Sequence, residues 1–407
     1  MSRTTVDLGS LFDRFKVSRI FKRRELLLPD YVPDYLPHRD QQIYRLGLVL
    51  APILSGSRPS NVFIYGLTGT GKTAVTKYVL RELKKKAGGT VTYAYVNCRH
   101  TDTSYRVIAE LAQAVGQRVP FTGLSTSEVF RRFVKGLERR KRFMLVVLDE
   151  IDYLVKRKGD DVLYFLTRIN DQLSVSKVSV IGITNDLRFM DFLDARVKSS
   201  LGEEELVFPP YTSRELEDIL RMRAEQAFQP GVLENDVIPL CAAIAARQNG
   251  DCRLALDLLL KAADIAERLG EIKVRGEHVR LAQKEIEKNL AIDLIKSMPL
   301  HVKLVLVSVL ILHKKGVKVI TTGSIYDQYT KLARRVGVEP VTQRRVSDII
   351  NELDMLGVIN AQVVSLGRYG RTKRIKLSVS ESSVKEGLKE DLALGDLWLE
   401  LTSRELG

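Results

Sequence analysis

The sequence predicts an α/β fold: a parallel-sheet domain, then an all-helical domain, then a unit of three helices and a hairpin. A glycine-rich phosphate-binding loop lies between an apolar, β-rich run and a helical pattern. Apolar strand-like runs alternate with helical patterns up to about residue 208, which is typical of a parallel sheet with helices on both faces. From Ser213 to about Asn289 the strand signals disappear and amphipathic helical patterns remain.

Composition limits the functional classes. The chain has 407 residues, which suggests two or three domains, and its formal charge of +14 points toward a polyanionic partner. Residues 291–380 carry 15 Lys and Arg against 6 Asp and Glu, so most of the excess charge lies there. Cys98, Cys241 and Cys252 lack metal-site spacing and indicate free thiols in a reducing compartment. We expect no export signal, no membrane partner and a cytoplasmic, nucleoid-associated protein, because the longest apolar run, 304–312, is too short to span a bilayer.

The phosphate-binding loop has the pattern G-x-x-x-x-G-K-T over residues 66–73. Its glycines let backbone N–H groups turn toward phosphates, and the following helix adds its positive N-terminal end. Lys72 would reach the β- and γ-phosphates, and the Thr73 hydroxyl would hold Mg²⁺. The residues predicted to hold the nucleotide here are Gly66, Leu67, Thr68, Gly69, Thr70, Gly71, Lys72, Thr73 and Ala74.

Two acidic residues form a second part of the predicted nucleotide site. Asp149 and Glu150 follow the continuous apolar run 143–148, which is typical of a strand buried on both faces. Beside the phosphate loop, Asp149 would complete the Mg²⁺ shell with Thr73. Glu150 would polarise the attacking water as a general base.

Three polar residues are further candidates for the same site. Asn185 ends the strand run 178–185, where its amide would orient water, although an asparagine there also suits an ordinary turn. Arg196 is a candidate arginine finger, or else a solvated arginine on a loop. Arg253 lies in the first turn of a helix, where a cation is unfavourable, so either a phosphate partner or a surface ion pair would explain it.

The region after Pro299 has the pattern of a winged helix. On its third helix, Val346, Ile349, Ile350 and Leu353 have the spacing of a core stripe. The predicted elements are helices 299–312, 324–336 and 343–356, the last two capped by Thr322 and Thr342, and strands 359–365 and 374–379.

Basic residues of this unit are predicted to contact DNA. The N-terminal turn of the third helix, off the core stripe, is where a recognition helix meets base edges, although Arg344 and Arg345 could contact phosphates alone. The glycine-rich, basic hairpin tip suits a wing against the backbone or in a minor groove. A solvated basic tip, or a winged helix that mediates protein contacts, is the alternative. The candidate residues are Gln343, Arg344, Arg345, Ser347, Arg368, Tyr369, Arg371 and Lys373.

These motifs together resemble the AAA+ ATPases, specifically the archaeal origin-recognition and cell-division-control family of replication initiators. The resemblance covers about 21–380. The sequence departs from the family pattern at Ala195, where the family has proline, and at Leu254, where a second arginine is common. Neither residue has an assigned role. Stretches 148–152, 182–185, 196–201 and 250–253 are similar to the family's Walker B, sensor 1, finger and sensor 2 segments.

The resemblance implies ATP or ADP with Mg²⁺ held between the sheet domain and a helical lid, with slow hydrolysis used as a switch. Arg196 would act in trans on a neighbouring subunit's nucleotide, and Arg253 would report from the lid. A segment similar to the family's adenine site adds Val32, Pro33, His38 and Arg39 to the nucleotide-binding set. A segment similar to its DNA-approaching insertion adds Phe121, Thr122, Gly123, Arg131 and Arg132 to the DNA-binding set.

The sequence therefore predicts an ATP-regulated replication initiator. It would recognise double-stranded origin DNA, act with further initiator subunits there, and help recruit or load a minichromosome-maintenance-type replicative helicase. The alternatives are a nucleotide-switched transcription regulator and a clamp-loader-like remodelling ATPase. The predicted domains are an N-terminal tail (1–17), an AAA+ nucleotide-binding domain (18–208), a helical lid (209–290), a winged helix (291–380) and a C-terminal tail (381–407).

Overall fold

The computed structural model describes residues 18–120, 123–365 and 371–389, together with Asp391 and Leu394. The chain divides into two compact units, one ending at Val279 and the other beginning at Arg280. Within the described residues, none of the helices combines the length and apolar character that a membrane crossing requires.

A five-stranded parallel sheet forms the centre of the first unit. Its strands are β1 (Asn61–Tyr65), β2 (Val91–Asn97), β3 (Phe143–Asp149), β4 (Lys177–Thr184) and β5 (Glu203–Val207). They lie in the order β2-β3-β4-β1-β5, so β1 and β3 both pair with β4. This order brings the carboxyl ends of β1, β3 and β4 to one edge of the sheet.

Helices cover both faces of this sheet. They are α1 (Asp40–Leu50), α2 (Lys72–Ala87), α3 (Ser104–Ala114), α4 (Thr126–Arg140), α5 (Ile151–Lys158), α6 (Asp161–Gln172) and α7 (Ala195–Leu201). Val62 and Ile64 lie in the same apolar core as residues of α1 and α2, whereas Phe63 lies in the core that holds α3, α4 and α6. The alternation follows from the two-residue period of a strand.

The first unit departs from the sequence prediction in places where local pattern is weak. β5 begins at Glu203, whereas the apolar pattern predicts a strand only from 206, because an edge strand tolerates exposed acids such as Glu204. Arg196 lies on the seven-residue helix α7, which is too short to show a period. The sequence pattern predicts that Thr126 or Ser127 caps α4, but Ser125 caps it, since its side chain accepts from the Glu128 N–H at 3.2 Å.

A helical region follows the sheet. Its helices are α8 (Ser213–Ala227), α9 (Val237–Arg247) and α10 (Cys252–Arg268). A fourth helix, α11 (Gly276–Ser297), begins in this unit and continues into the second. Residues 18–31, which precede the sheet in sequence, pack on this region: the Phe21 ring stacks on Phe228 with centroids 5.2 Å apart. The Lys22 N–H also donates to the Ala227 carbonyl at 2.8 Å. These contacts attach residues 18–31 to the helical region.

The second unit contains three helices and a hairpin, as predicted. Its elements are α12 (Leu300–Lys314), α13 (Thr322–Arg335), α14 (Gln343–Met355), β6 (Ile359–Ser365), β7 (Arg371–Leu377) and a further helix, α15 (Glu381–Leu388). The predicted core stripe of α14 is confirmed, because Val346, Ile349, Ile350 and Leu353 are all buried. Together the two units confirm the predicted fold class.

Three details of the second unit differ from the prediction. Thr321 caps α13, not Thr322, because it forms a reciprocal capping box with Ser324. β7 begins at Arg371, three residues before the predicted start. The segment predicted as a C-terminal tail contains α15, whose buried Val384 and Leu388 join the core of the unit. A short helix of this kind offers too few apolar positions for its period to be recognised.

Candidate functional site

The phosphate loop lies between β1 and the first turn of α2, and its glycines are required by close approach. Gly69 has φ +73°, and a Cβ there would lie 1.8 Å from Asp251 Oδ1. Gly71 has φ +89°, and a Cβ there would lie 2.8 Å from the Tyr211 hydroxyl. Both positions therefore need a residue without a side chain. The Cys252 N–H also donates to the Gly69 carbonyl at 3.1 Å, so the helical region contacts the loop directly.

Lys72 is held by oxygen acceptors at the base of the loop. Its Nζ donates to the carbonyls of Gly66 and Leu67, each at 2.7 Å, and to Asn185 Oδ1 at 2.9 Å. The residue is only 5% exposed, and this burial lowers the pKa of Lys72 to about 8. The ammonium thus lies among acceptors that phosphate oxygens could replace, next to the amide predicted to orient water.

The two acids lie at the end of β3, facing the loop. Asp149 Oδ2 accepts from the Thr73 hydroxyl at 3.0 Å, and Asp149 Oδ1 accepts from the Glu150 N–H at 3.0 Å. Glu150 has φ +56°, a left-handed conformation uncommon for a residue with a side chain. It lines the same cleft as Asp149 and Asn185.

The oxygen atoms at this point fit a divalent cation. Hydroxyl and carboxylate oxygens are the ligands that Mg²⁺ prefers, and it binds through one or two carboxylates plus substrate phosphates. Thr73 Oγ1 and Asp149 Oδ2 are close enough to share one ion. These two residues, predicted as metal ligands, are thus brought together by the fold.

The opposite wall of the cleft is apolar and comes from two distant parts of the chain. Residues 28–33 contribute one side, including Val32 and Pro33, and the helical region contributes Ile219, Met222 and Leu256. An apolar wall beside a phosphate loop suits a nucleobase. The cleft is therefore shaped for a nucleotide whose phosphates lie at the loop and whose base lies between the two regions.

Arg223 supports this apolar wall. It is 7% exposed, donates to the Leu26 carbonyl at 2.9 Å, and lies over the Tyr31 ring at 4.7 Å from its centroid. Burial lowers the pKa of Arg223. Its Nε has no partner among the described residues. Arg223 thereby fixes residues 26–31 on α8.

Four of the predicted nucleotide-binding residues, all of which the structure describes, lie off the cleft lining: Gly66, Leu67, His38 and Arg39. Arg39 is buried behind the loop, where it donates to the Thr70 carbonyl at 2.9 Å and to the Pro209 carbonyl at 2.8 Å. Its guanidinium also lies 3.7 Å from the Tyr211 ring centroid. His38 Nε2 lies 3.0 Å from an Asp218 carboxylate oxygen. Arg39 therefore supports the phosphate loop from behind and does not line the cleft.

The two arginines predicted to assist ATP hydrolysis lie in different environments. Arg253 lines the cleft in the first turn of α10, whose N-cap, Asp251, accepts from the Arg253 N–H at 2.8 Å. Arg196, itself a described residue, does not line the cleft. Its side chain is 73% exposed and its Nε lies 3.1 Å from Asp194 Oδ1. Arg196 would therefore need a second subunit to meet a nucleotide.

The predicted DNA-binding residues of the second unit lie around α14. Gln343, Arg344 and Arg345 are exposed in its first turn, and Ser347 is half-buried. Lys373 on β7 donates to Asn351 of the same helix, which places the hairpin beside it. Arg368 and Tyr369 lie outside the described residues, and Arg371 is described only as the first residue of β7.

The insertion contributes fewer described residues. Phe121 and Thr122 lie outside the described residues, and Gly123 precedes α4 with φ +97°. Arg131 pairs with Glu128, and Arg132 Nε lies 3.1 Å from the same carboxylate. Both arginines are on the helix predicted to approach DNA.

The sequence did not predict several residues that contact the phosphate loop or its acids. Tyr95 reaches Asp149 from β2, and Tyr211 reaches Gly71 from the segment after β5. No sequence pattern near Tyr95 or Tyr211 predicts these contacts, because each depends on how distant segments pack. Asp251 could have been predicted as a helix N-cap, since it follows Asn249-Gly250 and precedes a helical pattern.

Three protein-family profiles match the chain in succession. An AAA domain matches residues 55–190, a Cdc6 AAA+ ATPase-type lid domain matches 217–284, and a CDC6 C-terminal winged helix domain matches 293–387. The AAA+ domain supports nucleotide binding and ATPase activity.

Proteins from several archaea are similar to the chain over nearly its whole length. The ORC1-type DNA replication protein 1 of Sulfurisphaera tokodaii is 56% identical over 382 residues, or 94% of this chain and 96% of that protein. The ORC1-type DNA replication protein of Pyrococcus abyssi is 50% identical, over 96% of this chain and 95% of that protein.

A solved structure agrees with these relatives. The Aeropyrum pernix ORC1 protein in complex with DNA is 54% identical, with a TM-score of 0.82. The match covers 94% of this chain and 100% of that one.

Proposed function

The chain belongs to the archaeal ORC1-type DNA replication proteins, and we propose that it is an ATP-regulated initiator that recognises double-stranded origin DNA. It would act there with further initiator subunits and help recruit or load a minichromosome-maintenance-type helicase. One observation supports this most: the chain matches, over 94% of its length, a relative whose structure was solved in complex with DNA.

The cleft supports binding of ATP or ADP with Mg²⁺. Thr73 and Asp149 would hold the ion, which when bound neutralises phosphate charge and orients the terminal phosphate. Lys72 would exchange its carbonyl acceptors for phosphate oxygens. Glu150 and Asn185 line the place where a water would attack, Glu150 as general base and Asn185 as the group that orients the water.

The residues that line the cleft support slow hydrolysis by a single subunit. Arg253 is present from the helical region, but Arg196 is held on α7 by Asp194. An arginine finger is worth about 10³–10⁵-fold in rate. A subunit whose finger must come from a neighbour would therefore hydrolyse ATP slowly alone, which suits a switch better than a motor.

The exposed basic start of α14 supports DNA binding by the second unit. Thr342 caps this helix, so its first turn is ordered and its side chains project from a fixed backbone. Arg344 and Arg345 are both exposed there. An ordered, basic N-terminal turn is the part of a recognition helix that enters a major groove.

The test compares two double variants that remove the same charge. Arg344→Ala/Arg345→Ala should weaken binding to origin DNA by roughly 100-fold, since each contact to a base is worth about 1–3 kcal/mol. Lys315→Ala/Lys318→Ala removes two exposed lysines of the same unit and should change binding by only a few-fold. An equal loss of DNA affinity in both variants would mean that binding depends on the net charge of the unit and not on contacts from α14.

A footprint across the whole chromosome separates the biological roles. Protection concentrated at the start of replication supports the initiator. Protection spread over many promoters would instead assign the chain to transcription regulation. Rapid, DNA-stimulated ATP turnover by the purified chain would favour a remodelling ATPase.

A further inference from the structure

Tyr95 lies beside the predicted metal ligands without belonging to them. Its hydroxyl donates to Asp149 Oδ2, the same oxygen that accepts from Thr73. Asp149 is only 5% exposed, and its other oxygen accepts from the Glu150 N–H. Both oxygens of this carboxylate are therefore held by hydrogen bonds from the chain.

The sheet register explains how Tyr95 reaches this position. In the β2–β3 pair, Tyr95 lies opposite Val147, and Asn97 lies opposite Asp149. Since side chains two residues apart share a face, Tyr95 and Asp149 project from the same side of the sheet. Diagonal neighbours across two strands are within reach of an aromatic side chain. The contact is thus built into the pairing of regular strands.

We propose that Tyr95 is a positioning residue for the metal site. Its hydroxyl fixes the plane of the Asp149 carboxylate, so that the remaining lone pairs face an ion shared with Thr73. This inference rests on the proposed function, because it requires a nucleotide–Mg²⁺ complex in the cleft.

Two properties suit Tyr95 to this task. The terminal torsion of an aspartate has a broad energy minimum, so hydrogen bonds decide its plane. A phenol hydroxyl is a neutral donor, so the hydrogen bond to Asp149 Oδ2 brings no further charge beside the ion. A cationic donor at this position would compete with Mg²⁺ for the carboxylate. Lys77 does not take this position, because its Nζ lies over the Tyr95 ring, 5.2 Å from the centroid.

The test is Tyr95→Phe, with Tyr93→Phe as the matched control. Tyr93 is on the same strand and face, and its buried hydroxyl has no hydrogen-bond partner among the described residues. Binding of a fluorescent ATP analogue is titrated with MgCl₂ for each protein, and repeated in EDTA. The thermal unfolding midpoint is recorded without ligand.

Tyr95→Phe should raise the Mg²⁺ concentration at half-maximal binding by about 10-fold or more, because loss of an outer-shell partner costs about 10–100-fold in metal affinity. Tyr93→Phe should leave it unchanged, and neither variant should alter binding in EDTA. An unfolding midpoint well above the assay temperature shows that each variant is folded.

An unchanged Mg²⁺ midpoint in Tyr95→Phe overturns the inference, and so does an equal loss of binding in EDTA. Failure of the proposed function has a different signature: wild-type binding would then not respond to Mg²⁺ at all.

Discussion

Lys72 makes nucleotide affinity depend on pH, and the size of the effect follows from its burial. Desolvation lowers the pKa of Lys72 from 10.5 to about 8, and the charge of Asp149 offsets this only in part. A triphosphate binds the charged ammonium. In the empty cleft the charged fraction falls from about 90% at pH 7 to about 3% at pH 9.5. We therefore expect ATP affinity to fall by roughly 30-fold across this range.

The direction of proton transfer provides a second measurement. At pH 9.5 the empty site is mostly neutral and the occupied site is charged, so binding should take up about one proton. Isothermal titration calorimetry in two buffers of different ionisation enthalpy measures this uptake. The phosphates of ATP are already ionised above about pH 7, so the change belongs to the protein. Without ligand, this group's contribution makes the free energy of unfolding rise between about pH 8 and 10.5, because the unfolded chain then binds more protons.

Lys72→Arg is the control, because an arginine keeps its charge throughout this range. Its affinity for ATP should be lower than that of the wild type but independent of pH. A wild-type affinity that stays constant from pH 7 to 9.5 would refute the reasoning. The same decline in Lys72→Arg would also refute it, since the titrating group would then lie elsewhere.

Three further substitutions test other parts of the structure. Glu150→Gln should keep ATP binding while hydrolysis falls by roughly 100-fold or more, and near-normal single-turnover hydrolysis would exclude Glu150 as the base. Arg39→Met should lower the free energy of unfolding by about 2 kcal/mol in urea, because it leaves the buried Thr70 carbonyl and the partly buried Pro209 carbonyl without this donor; a loss under about 1 kcal/mol would contradict the supporting role. Thr342→Ala should cost about 1 kcal/mol of stability by removing the cap of α14, and an unchanged urea midpoint would show that the cap contributes nothing.

Much of the nucleotide cleft could be predicted from sequence because its signals are local. The phosphate loop needs glycines at fixed spacing, and the structure shows why at Gly69 and Gly71. The run ending at Asp149 is continuous and apolar because β3 is buried on both faces. The carboxyl ends of parallel strands lie at the same edge of a sheet, so the phosphate loop and Asp149 can be placed together from the sequence alone.

The supporting contacts could not be predicted in this way. Tyr95 acts on Asp149 only because β2 pairs with β3 in one register, and sequence does not give the register. Arg39 resembles a residue of the family's adenine site, yet it packs behind the loop, because its partners are backbone carbonyls that carry no residue-specific pattern. The start of β5 at Glu203 could not be predicted from apolar residues, because an edge strand can carry exposed acidic residues.

The path of the chain between the sheet and the helical region limits how the two can move. Residues 18–31 belong by contact to the helical region, and the chain then crosses to α1 on the sheet. It crosses back after β5 at Pro209. Arg39 joins the two crossings, since it lies on the first and donates to the carbonyl of the second. Two covalent connections held side by side would define a single axis for any opening of the cleft, because a sliding movement would have to break the hydrogen bond between Arg39 and Pro209.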